Sequence, residues 1–272
     1  MDRKRILGRT IIACAMTMLS AVLVFLLLNV DGWRARIISR ITRIENWSVV
    51  VPAPTGFRPW VPVGFRVSVF AKGFVSPRWL AASPNGDMFV ADSAAGQVIV
   101  LSGISAQGSV ESRGIFSDGL NLPFGIAFHD DYVYVADTNE VPRFRYDLHS
   151  SKRLGDAEHL LELPGLGYNQ HWTRSLAFSS DGRKMFVSVG SRSNIGVESD
   201  PRRAAILVAD ADGHNMHVYA SGLRNAVGIA CNPQSGERWA SVNERDDLGD
   251  DIPSDYFNRE WQRSIRLNEV QT

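Results

Sequence analysis

The chain has 272 residues, enough for one large domain or two small ones. Apolar residues make up 44% of the chain and charged residues 21%, which is typical of a globular protein and excludes a disordered one. The 29 basic residues balance the 29 acidic residues, so no strong field favours nucleic acid and we expect no nucleic-acid partner. The two cysteines, Cys14 and Cys231, lie in different predicted segments, and no disulfide is expected.

Residues 1–31 predict a membrane anchor or a secretory signal. Residues 11–30 carry no charge, and a helix of 20 residues spans the roughly 30 Å of a bilayer. Basic residues lie on both sides of this run, and those before it favour a cytoplasmic amino terminus. A cleaved signal peptide is the alternative, although Asp31-Gly32-Trp33 is a poor cleavage site. With either an anchor or a cleaved signal peptide, we expect the rest of the chain on the periplasmic side of a bacterial inner membrane.

Residues 32–63 predict a stalk and a linker. Isoleucines recur at spacings of three and four between residues 37 and 44, which is typical of an amphipathic helix. The basic side of this helix suits a membrane surface, and a short helical stalk is the alternative. Four prolines between residues 51 and 65 then predict an extended linker.

From residue 64 onwards one sequence pattern, called a phrase below, occurs four times. It consists of a short apolar segment, a polar turn and a strand rich in aromatic or β-branched residues. The phrases begin at Leu80, Ile126, Leu176 and Ile229, at spacings of 46, 50 and 53 residues. A period of about 40–50 residues with this content is typical of a β-propeller. Residues 64–256 therefore predict an all-β propeller of four-stranded blades, with about four blades present. An alternating pattern over residues 65–74 predicts a first outer strand, and a β-sandwich is the disfavoured alternative.

Two loops between the phrases carry candidate functional residues. His171 precedes the third phrase, and a neutral imidazole there is suited to act as general base on an alcohol or a hydrated aldehyde. Arg224 and Asn225 precede the fourth phrase, and a guanidinium beside an amide suits carboxylate or quinone oxygens. The alternatives are a loop histidine bonded to the backbone, and an Arg–Asn pair that satisfies turn carbonyls.

A family resemblance rests on two segments, HWTRSLAFSSDGRKMFVSVGSRSN and SGLRNAVGIACNPQSGERWASVNERDDLGDDIPSDY. They resemble the glucose/sorbosone dehydrogenase family, whose members are six-bladed propellers that bind pyrroloquinoline quinone (PQQ) and calcium and oxidise aldoses or sorbosone-like aldehydes. The likeness is carried by motifs over residues 171–256 and by pattern over residues 65–166. It implies a PQQ-dependent oxidoreductase with a small sugar or aldehyde as its substrate.

The resemblance also implies roles for individual residues. His171 matches the catalytic base, which removes the proton of the sugar hydroxyl as hydride passes to the quinone. Arg224 and Asn225 match residues that contact the quinone. The backbone carbonyls of Asp246 and Asp247 match calcium ligands, since calcium prefers hard oxygen donors and polarises the quinone carbonyl as a Lewis acid. A solvated acidic turn is the alternative for the two aspartates.

Two departures from the family stand out. Ser191 occupies the place where glucose-oxidising members carry an acid that orients the histidine. Residues 257–272 match no family motif and predict a truncated end, which leaves open whether the chain is active. Unclosed blades would expose strand edges able to pair with another chain. A non-catalytic propeller that binds a ligand or a protein is the second hypothesis, because the segments FVADSAAGQVIVL and YVADTNEVPRFRYD resemble NHL repeats.

Overall fold

A computed structural model of the chain describes residues 54–165, 171–194, 196–245 and 254–259, together with Ser20. Apart from Ser20, these residues belong to one compact unit made of Val50–Gly165 and His171–Thr272. The predicted stalk, and the predicted anchor except for Ser20, lie outside the described residues, so both stay predictions. Across the described ranges no helix is long and apolar enough to cross a membrane.

The fold is all-β over the described ranges, which hold fifteen strands and one short 3-10 helix at Ser93–Ala95. The strands form four antiparallel sheets, one for each phrase. The first sheet consists of β1 (Pro77–Ala82), β2 (Met88–Asp92), β3 (Gln97–Ser102) and β4 (Ser112–Ser117). The second consists of β5 (Gly125–His129), β6 (Tyr132–Ala136), β7 (Glu140–Arg145) and β8 (Glu158–Glu162). The third consists of β9 (Leu176–Phe178), β10 (Lys184–Val189), β11 (Ala205–Asp210) and β12 (His217–Ser221). The fourth consists of β13 (Asn225–Cys231), β14 (Arg238–Asn243) and β15 (Tyr256–Arg259). The predicted propeller of four blades is confirmed.

Each phrase folds as the first hairpin of its blade. In the first blade the polar turn closes between Ser83 and Asp87, where the Ser83 N–H donates to the Asp87 carbonyl at 2.8 Å. Gly86 in this turn and Gly182 in the third blade have φ values of +89° and +70°, a conformation that glycine adopts without strain. The residue that opens each phrase pairs with the second strand in the same way: Leu80 with Val90, Ile126 with Val135, Leu176 with Val187 and Ile229 with Ala240.

The core lies between neighbouring sheets. Phe89 of the first sheet packs with Val133 and Phe144 of the second, and similar apolar clusters join the second sheet to the third and the third to the fourth. The first strands of successive sheets also contact one another, β1 with β5, β5 with β9 and β9 with β13. Loops that lead into these four strands are therefore neighbours, although the chain separates them by about 50 residues.

The structure lacks one predicted strand, and its last described strand runs past residue 256. The strand predicted at residues 65–74 is wrong: no strand forms there, and the side chains of Phe65, Val67 and Val69 are exposed. Alternation alone does not make a strand, which also needs a partner for its backbone N–H and C=O groups. At the other end, β15 continues to Arg259, so the boundary predicted at residue 256 falls inside a strand that pairs with β14.

Candidate functional site

The strand register defines equivalent positions in the four blades. The residue that opens each phrase pairs with a residue on the second strand of its blade. The position two residues further along the chain from that partner is equivalent in all four blades, and it is occupied by Asp92, Asp137, Val189 and Val242. All four are buried, yet only the first two are acids. The third and fourth blades, which carry the family motifs, therefore lack a carboxylate that the first two blades share.

In the first two blades this carboxylate braces the loop in front of the blade. Asp92 accepts the N–H groups of Val75 and Ser76 at 2.9 and 2.6 Å. Asp137 accepts the N–H of Asn121 at 3.0 Å and those of the two residues after Thr138 at similar distances. Burial raises the pKa of Asp137, although these N–H groups oppose that effect. The two acids are thus structural, and they fix where β1 and β5 begin.

The third blade braces its loop with a cation instead. Arg174 is 1% exposed, and its Nη1 donates to the carbonyls of His171 and Thr173, both at 2.9 Å. Its Nη2 donates to the carbonyl of Pro164 at 3.0 Å. Burial lowers the pKa of Arg174 to about 9, so the guanidinium is still charged at neutral pH. The loop that carries His171 is therefore held by a buried arginine that donates to backbone carbonyl groups. In the first two blades, the corresponding loops are held by an aspartate that accepts backbone N–H groups.

The next equivalent position links each blade to the loop of the following blade. The Ser93 hydroxyl donates to the Pro123 carbonyl at 2.5 Å, and the Thr138 hydroxyl donates to the Trp172 carbonyl at 3.3 Å. The third blade has Gly190 at this position, which has no side chain to make such a bond. The third blade therefore lacks the side-chain hydrogen bond that links each of the first two blades to the next loop. The side chains that surround Gly190 explain why a glycine is found there.

Gly190 lets the side chains of His171 and Asn225 approach each other. A Cβ at Gly190 would lie 2.5 Å from the Oδ1 of Asn225 and 2.6 Å from the Cβ of His171. Both separations are shorter than carbon atoms tolerate without movement of a neighbour. The structure therefore brings together two of the predicted site residues, His171 from the third blade and Asn225 from the fourth.

His171 is 4% exposed, and its ring nitrogen Nδ1 lies close to Ser191. Its Nδ1 lies 2.8 Å from the Oγ of Ser191 and 3.1 Å from the Ser191 carbonyl. The Ser191 hydroxyl also donates to the carbonyl of Ser193 at 2.7 Å. The sequence marks Ser191 as a departure from the family, and the structure places this serine on the histidine.

Asn225 begins β13 and is 6% exposed. Its Oδ1 is buried and accepts no hydrogen bond from any residue that the structure describes. Leaving a buried amide oxygen unsatisfied costs about 1–3 kcal/mol, so such groups are rare in folded proteins and mark places where a ligand or water completes the structure. This oxygen and the Cβ of His171 both lie against Gly190.

Arg224 fastens two loops beside this pair. Its Nε donates to the carbonyl of Asn194 at 3.3 Å, and its Nη2 donates to the Asn194 side chain. Its Nη1 donates to the carbonyls of Asn243 and Glu244. The guanidinium therefore satisfies loop carbonyls, as in the alternative considered for this residue, and contact of Arg224 with a quinone stays a prediction.

The predicted metal ligands Asp246 and Asp247 lie outside the described residues. Among the residues that are described, no group of three or more His, Cys, Asp or Glu side chains is placed to hold a metal ion. The acidic segment that contains these aspartates, residues 244–251, begins at Glu244. The Glu244 N–H donates to the Oδ1 of Asp255 at 2.8 Å, which holds the start of the segment. Burial raises the pKa of Glu244. The calcium site stays a prediction.

An aromatic residue lies next to the predicted base. Trp172 is partly exposed, and its ring meets the edge of Phe124 at a centroid distance of 5.9 Å. The guanidinium of Arg78 lies 5.7 Å from the centre of the same ring. Sequence reasoning missed Trp172, Gly190 and the bracing role of Arg174, although alignment of the four phrases by register would have shown glycine in the place of Ser93 and Thr138.

The TrAA12-like family matches residues 59–256 of this sequence. The chain belongs to that family. It is a family of PQQ-dependent sugar dehydrogenases, which confirms the resemblance found from the motifs. The match spans the first three blades, the fourth blade as far as the start of β15, and both candidate loops of this TrAA12-like chain.

Solved structures share the fold of the TrAA12-like chain. The holo form of the pyranose dehydrogenase PQQ domain from Coprinopsis cinerea superposes with a TM-score of 0.62 at 22% identity, over 75% of this chain and 53% of that one. The calcium structure of the family AA12 enzyme from Trichoderma reesei gives 0.60 at 22% identity, over 70% and 53%. The PQQ-bound aldose sugar dehydrogenase from Streptomyces coelicolor gives 0.54 at 21% identity, over 71% and 62%.

A curated relative is similar in sequence over the same region. It is an uncharacterised protein of Borreliella burgdorferi, 26% identical over 209 residues, which are 73% of this chain and 52% of the relative. The chain spans about half the length of this relative and of the Coprinopsis domain.

Proposed function

We propose that this TrAA12-like protein is a PQQ-dependent sugar dehydrogenase in which His171 is the base. The observation that carries the proposal is that the buried side chains of His171 and Asn225 both lie against Gly190. Family membership supports the reaction class, and the burial of the imidazole supports its use as a base, because water is kept away from it.

The described part of the site fits PQQ in two respects. The Oδ1 of Asn225 is a buried acceptor with no donor among the described residues, and the pyrrole N–H of PQQ is a donor that can satisfy it. Two buried cations, Arg174 and Arg203, lie close by and share the carbonyl of Pro164 at 3.0 and 2.8 Å. PQQ is an anionic quinone, and positive charge in a low-dielectric region favours an anion. Asn225 is the proposed quinone contact, and the proposed contact of Arg224 rests on the resemblance alone.

The proposed chemistry is a two-electron oxidation of a carbon that bears a hydroxyl group. Bound PQQ supplies the acceptor for the hydride that leaves this carbon. His171 takes the hydroxyl proton on Nε2, the carbon–oxygen double bond forms, and one proton and one hydride have left the substrate. General-base catalysis of this kind contributes about 10²–10⁴-fold to a rate.

A sugar is the proposed substrate class because of the aromatic side chain beside the base. The C–H groups of a sugar ring pack well on an aromatic face, and Trp172 offers such a surface one residue away from His171. The guanidinium of Arg78 above the same ring can donate to sugar hydroxyl groups. This arrangement favours a cyclic aldose over a small aliphatic aldehyde.

Calcium is the second proposed cofactor, held by the backbone carbonyls of Asp246 and Asp247. What supports it is the acidic composition of residues 244–251 together with the anchored start of that segment at Glu244. In this place calcium would act as a Lewis acid on the bound quinone. Chelation with EDTA is expected to abolish activity, and added calcium to restore it.

The test is reconstitution of the full chain with PQQ and calcium, followed by dye reduction with aldoses. The His171→Ala variant is expected to lose about 10²–10⁴-fold in turnover while it keeps its fold and its quinone affinity. His159→Ala is the matched control, because His159 is an exposed histidine of the second blade whose imidazole pairs with Glu140. Full activity of His171→Ala would exclude this base. No quinone binding by a stably folded chain would favour the non-catalytic propeller instead.

A further inference from the structure

The hydrogen bonds around His171 determine which ring nitrogen carries the proton. Its Nδ1 lies 3.1 Å from the Ser191 carbonyl oxygen, and a carbonyl oxygen only accepts. The Ser191 hydroxyl, 2.8 Å away, donates its single proton to the carbonyl of Ser193, so it offers only lone pairs to the ring. Both contacts require a donor at Nδ1, and the neutral ring then has its lone pair on Nε2.

We propose that Ser191 is a positioning residue that fixes His171 as the Nδ1–H tautomer and so presents an unprotonated Nε2 to the substrate. This inference rests on the proposed function of His171 as the base. The chain of donors runs from Nδ1–H to the Ser191 hydroxyl and on to the Ser193 carbonyl. Since Ser191 is 5% exposed, water does not compete freely for either bond.

A hydroxyl group positions the ring but supplies no counter-charge for the imidazolium that forms when Nε2 takes a proton. A carboxylate at the same place would stabilise that imidazolium and raise the pKa of the ring by about one to three. The charged groups linked to the loops around the ring are Arg174, which donates to the His171 carbonyl, and Arg224, whose carbonyl accepts the Ser191 N–H. Arg203 and Asp137 interact with Arg174, and Glu198 interacts with Arg203.

The first test reads the tautomer directly, without any quinone. The full chain is labelled with ¹⁵N-histidine, and the His171→Ala variant assigns one signal among the six histidines. The expected result is a protonated Nδ1 and an unprotonated Nε2 at neutral pH. Ser191→Ala should give a mixture of tautomers, because only the longer contact to the backbone carbonyl is left.

Ser188→Ala is the matched control for the first test. Ser188 is a fully buried serine of the same blade whose Oγ accepts the Ser175 N–H at 2.9 Å, a bond within the sheet. The tautomer of His171 should not change in this variant. A proton on Nε2 in the unmodified chain, or an unchanged tautomer ratio in Ser191→Ala, would overturn the proposal.

The second test uses the PQQ-loaded chain. Ser191→Ala should lower kcat by roughly 10- to 100-fold, as when an outer hydrogen-bond partner of a functional histidine is lost. Ser191→Asp should restore turnover and shift the rising limb of the pH profile upward by about one to three pH units. A serine that only supports the fold would leave that limb in place in Ser191→Asp. If the chain reduces no dye but the tautomer result holds, the proposed function fails and the positioning role of Ser191 stands.

Discussion

Replacing Gly190 with alanine tests whether this position is kept small to let two blades meet. Gly190 is not among the glycines with positive φ, so its backbone suits alanine. The added methyl group would nevertheless meet the Oδ1 of Asn225 at 2.5 Å and the Cβ of His171 at 2.6 Å. Neither neighbour is the flexible end of a long side chain, so the pair must separate.

The expected cost follows from two opposing effects. Overpacking a filled site costs about 1–3 kcal/mol, whereas removal of glycine from a compatible backbone stabilises by about 0.4–1 kcal/mol through the unfolded state. Gly114→Ala is the control, because a Cβ there would lie 3.7 Å from the Cγ1 of Val100, an ordinary contact. The two variants should therefore differ by about 1–3 kcal/mol, and each kcal/mol shifts Tm by about 2–4 °C in a domain of this size.

Thermal unfolding followed by circular dichroism measures this difference, with both variants at one protein concentration. Binding of PQQ, followed by quenching of tryptophan fluorescence, gives a second measurement on the same samples. Gly190→Ala should melt below Gly114→Ala and bind the quinone more weakly. Equal melting temperatures together with equal affinities would refute the reasoning, because the side chains would then have room that the geometry denies them.

Two further variants test the groups that brace the loops. Burial raises the pKa of Asp137 above its usual 3.8, so the folded state binds this proton more readily than the unfolded state does. The contribution of this proton to stability is therefore largest below pH 3.8, and it falls as the pH rises through the raised pKa. The Asp137→Asn variant cannot ionise at this position, so its free energy of unfolding in urea should not show this fall with pH. If the free energies of unfolding of the variant and the unmodified chain differ by the same amount at every pH between about 3.5 and 7, the prediction is wrong. Arg174→Ala leaves the carbonyls of His171 and Thr173 without this donor, whereas the Pro164 carbonyl keeps its bond from Arg203. The variant should cost about 2 kcal/mol or more, at about 1–3 kcal/mol for each unsatisfied group. The exposed pair of Arg145 with Asp131 provides the control, since Arg145→Ala should cost no more than about 1 kcal/mol, and equal costs for the two arginines would show that Arg174 is not a brace.

The four sheets were predictable because each blade is specified locally. The turn between Ser83 and Asp87 and the apolar alternation on either side of it lie within a dozen residues, and this local signal repeats in every blade. The strand at residues 65–74 failed for the opposite reason. Its alternation was genuine, but a strand also needs a hydrogen-bonded neighbour, and that is not a local property of the sequence.

The candidate site was predictable only in part. His171 and Asn225 were found through motifs, and the structure places both against Gly190. Ser191 was recognised as a departure from the family, but its bond to the imidazole depends on the path of the loop after β10. Arg224 shows the limit in another way: residue type suggested a ligand contact, whereas its guanidinium binds the carbonyls of loops that sequence spacing does not bring together.

The site forms where the third blade departs from its own repeat. The buried acid becomes Val189, which removes a negative charge from the loop in front of the blade, and Arg174 takes over the bracing of that loop. The hydroxyl that ties one blade to the next becomes Gly190, which costs a hydrogen bond and opens the space in which His171 meets Asn225. Each change alone would weaken a propeller blade. Together they replace two structural contacts with a buried histidine and an amide oxygen that no described residue satisfies. A local departure from the repeat that costs stability is expected at a functional site, which supports the role proposed for His171.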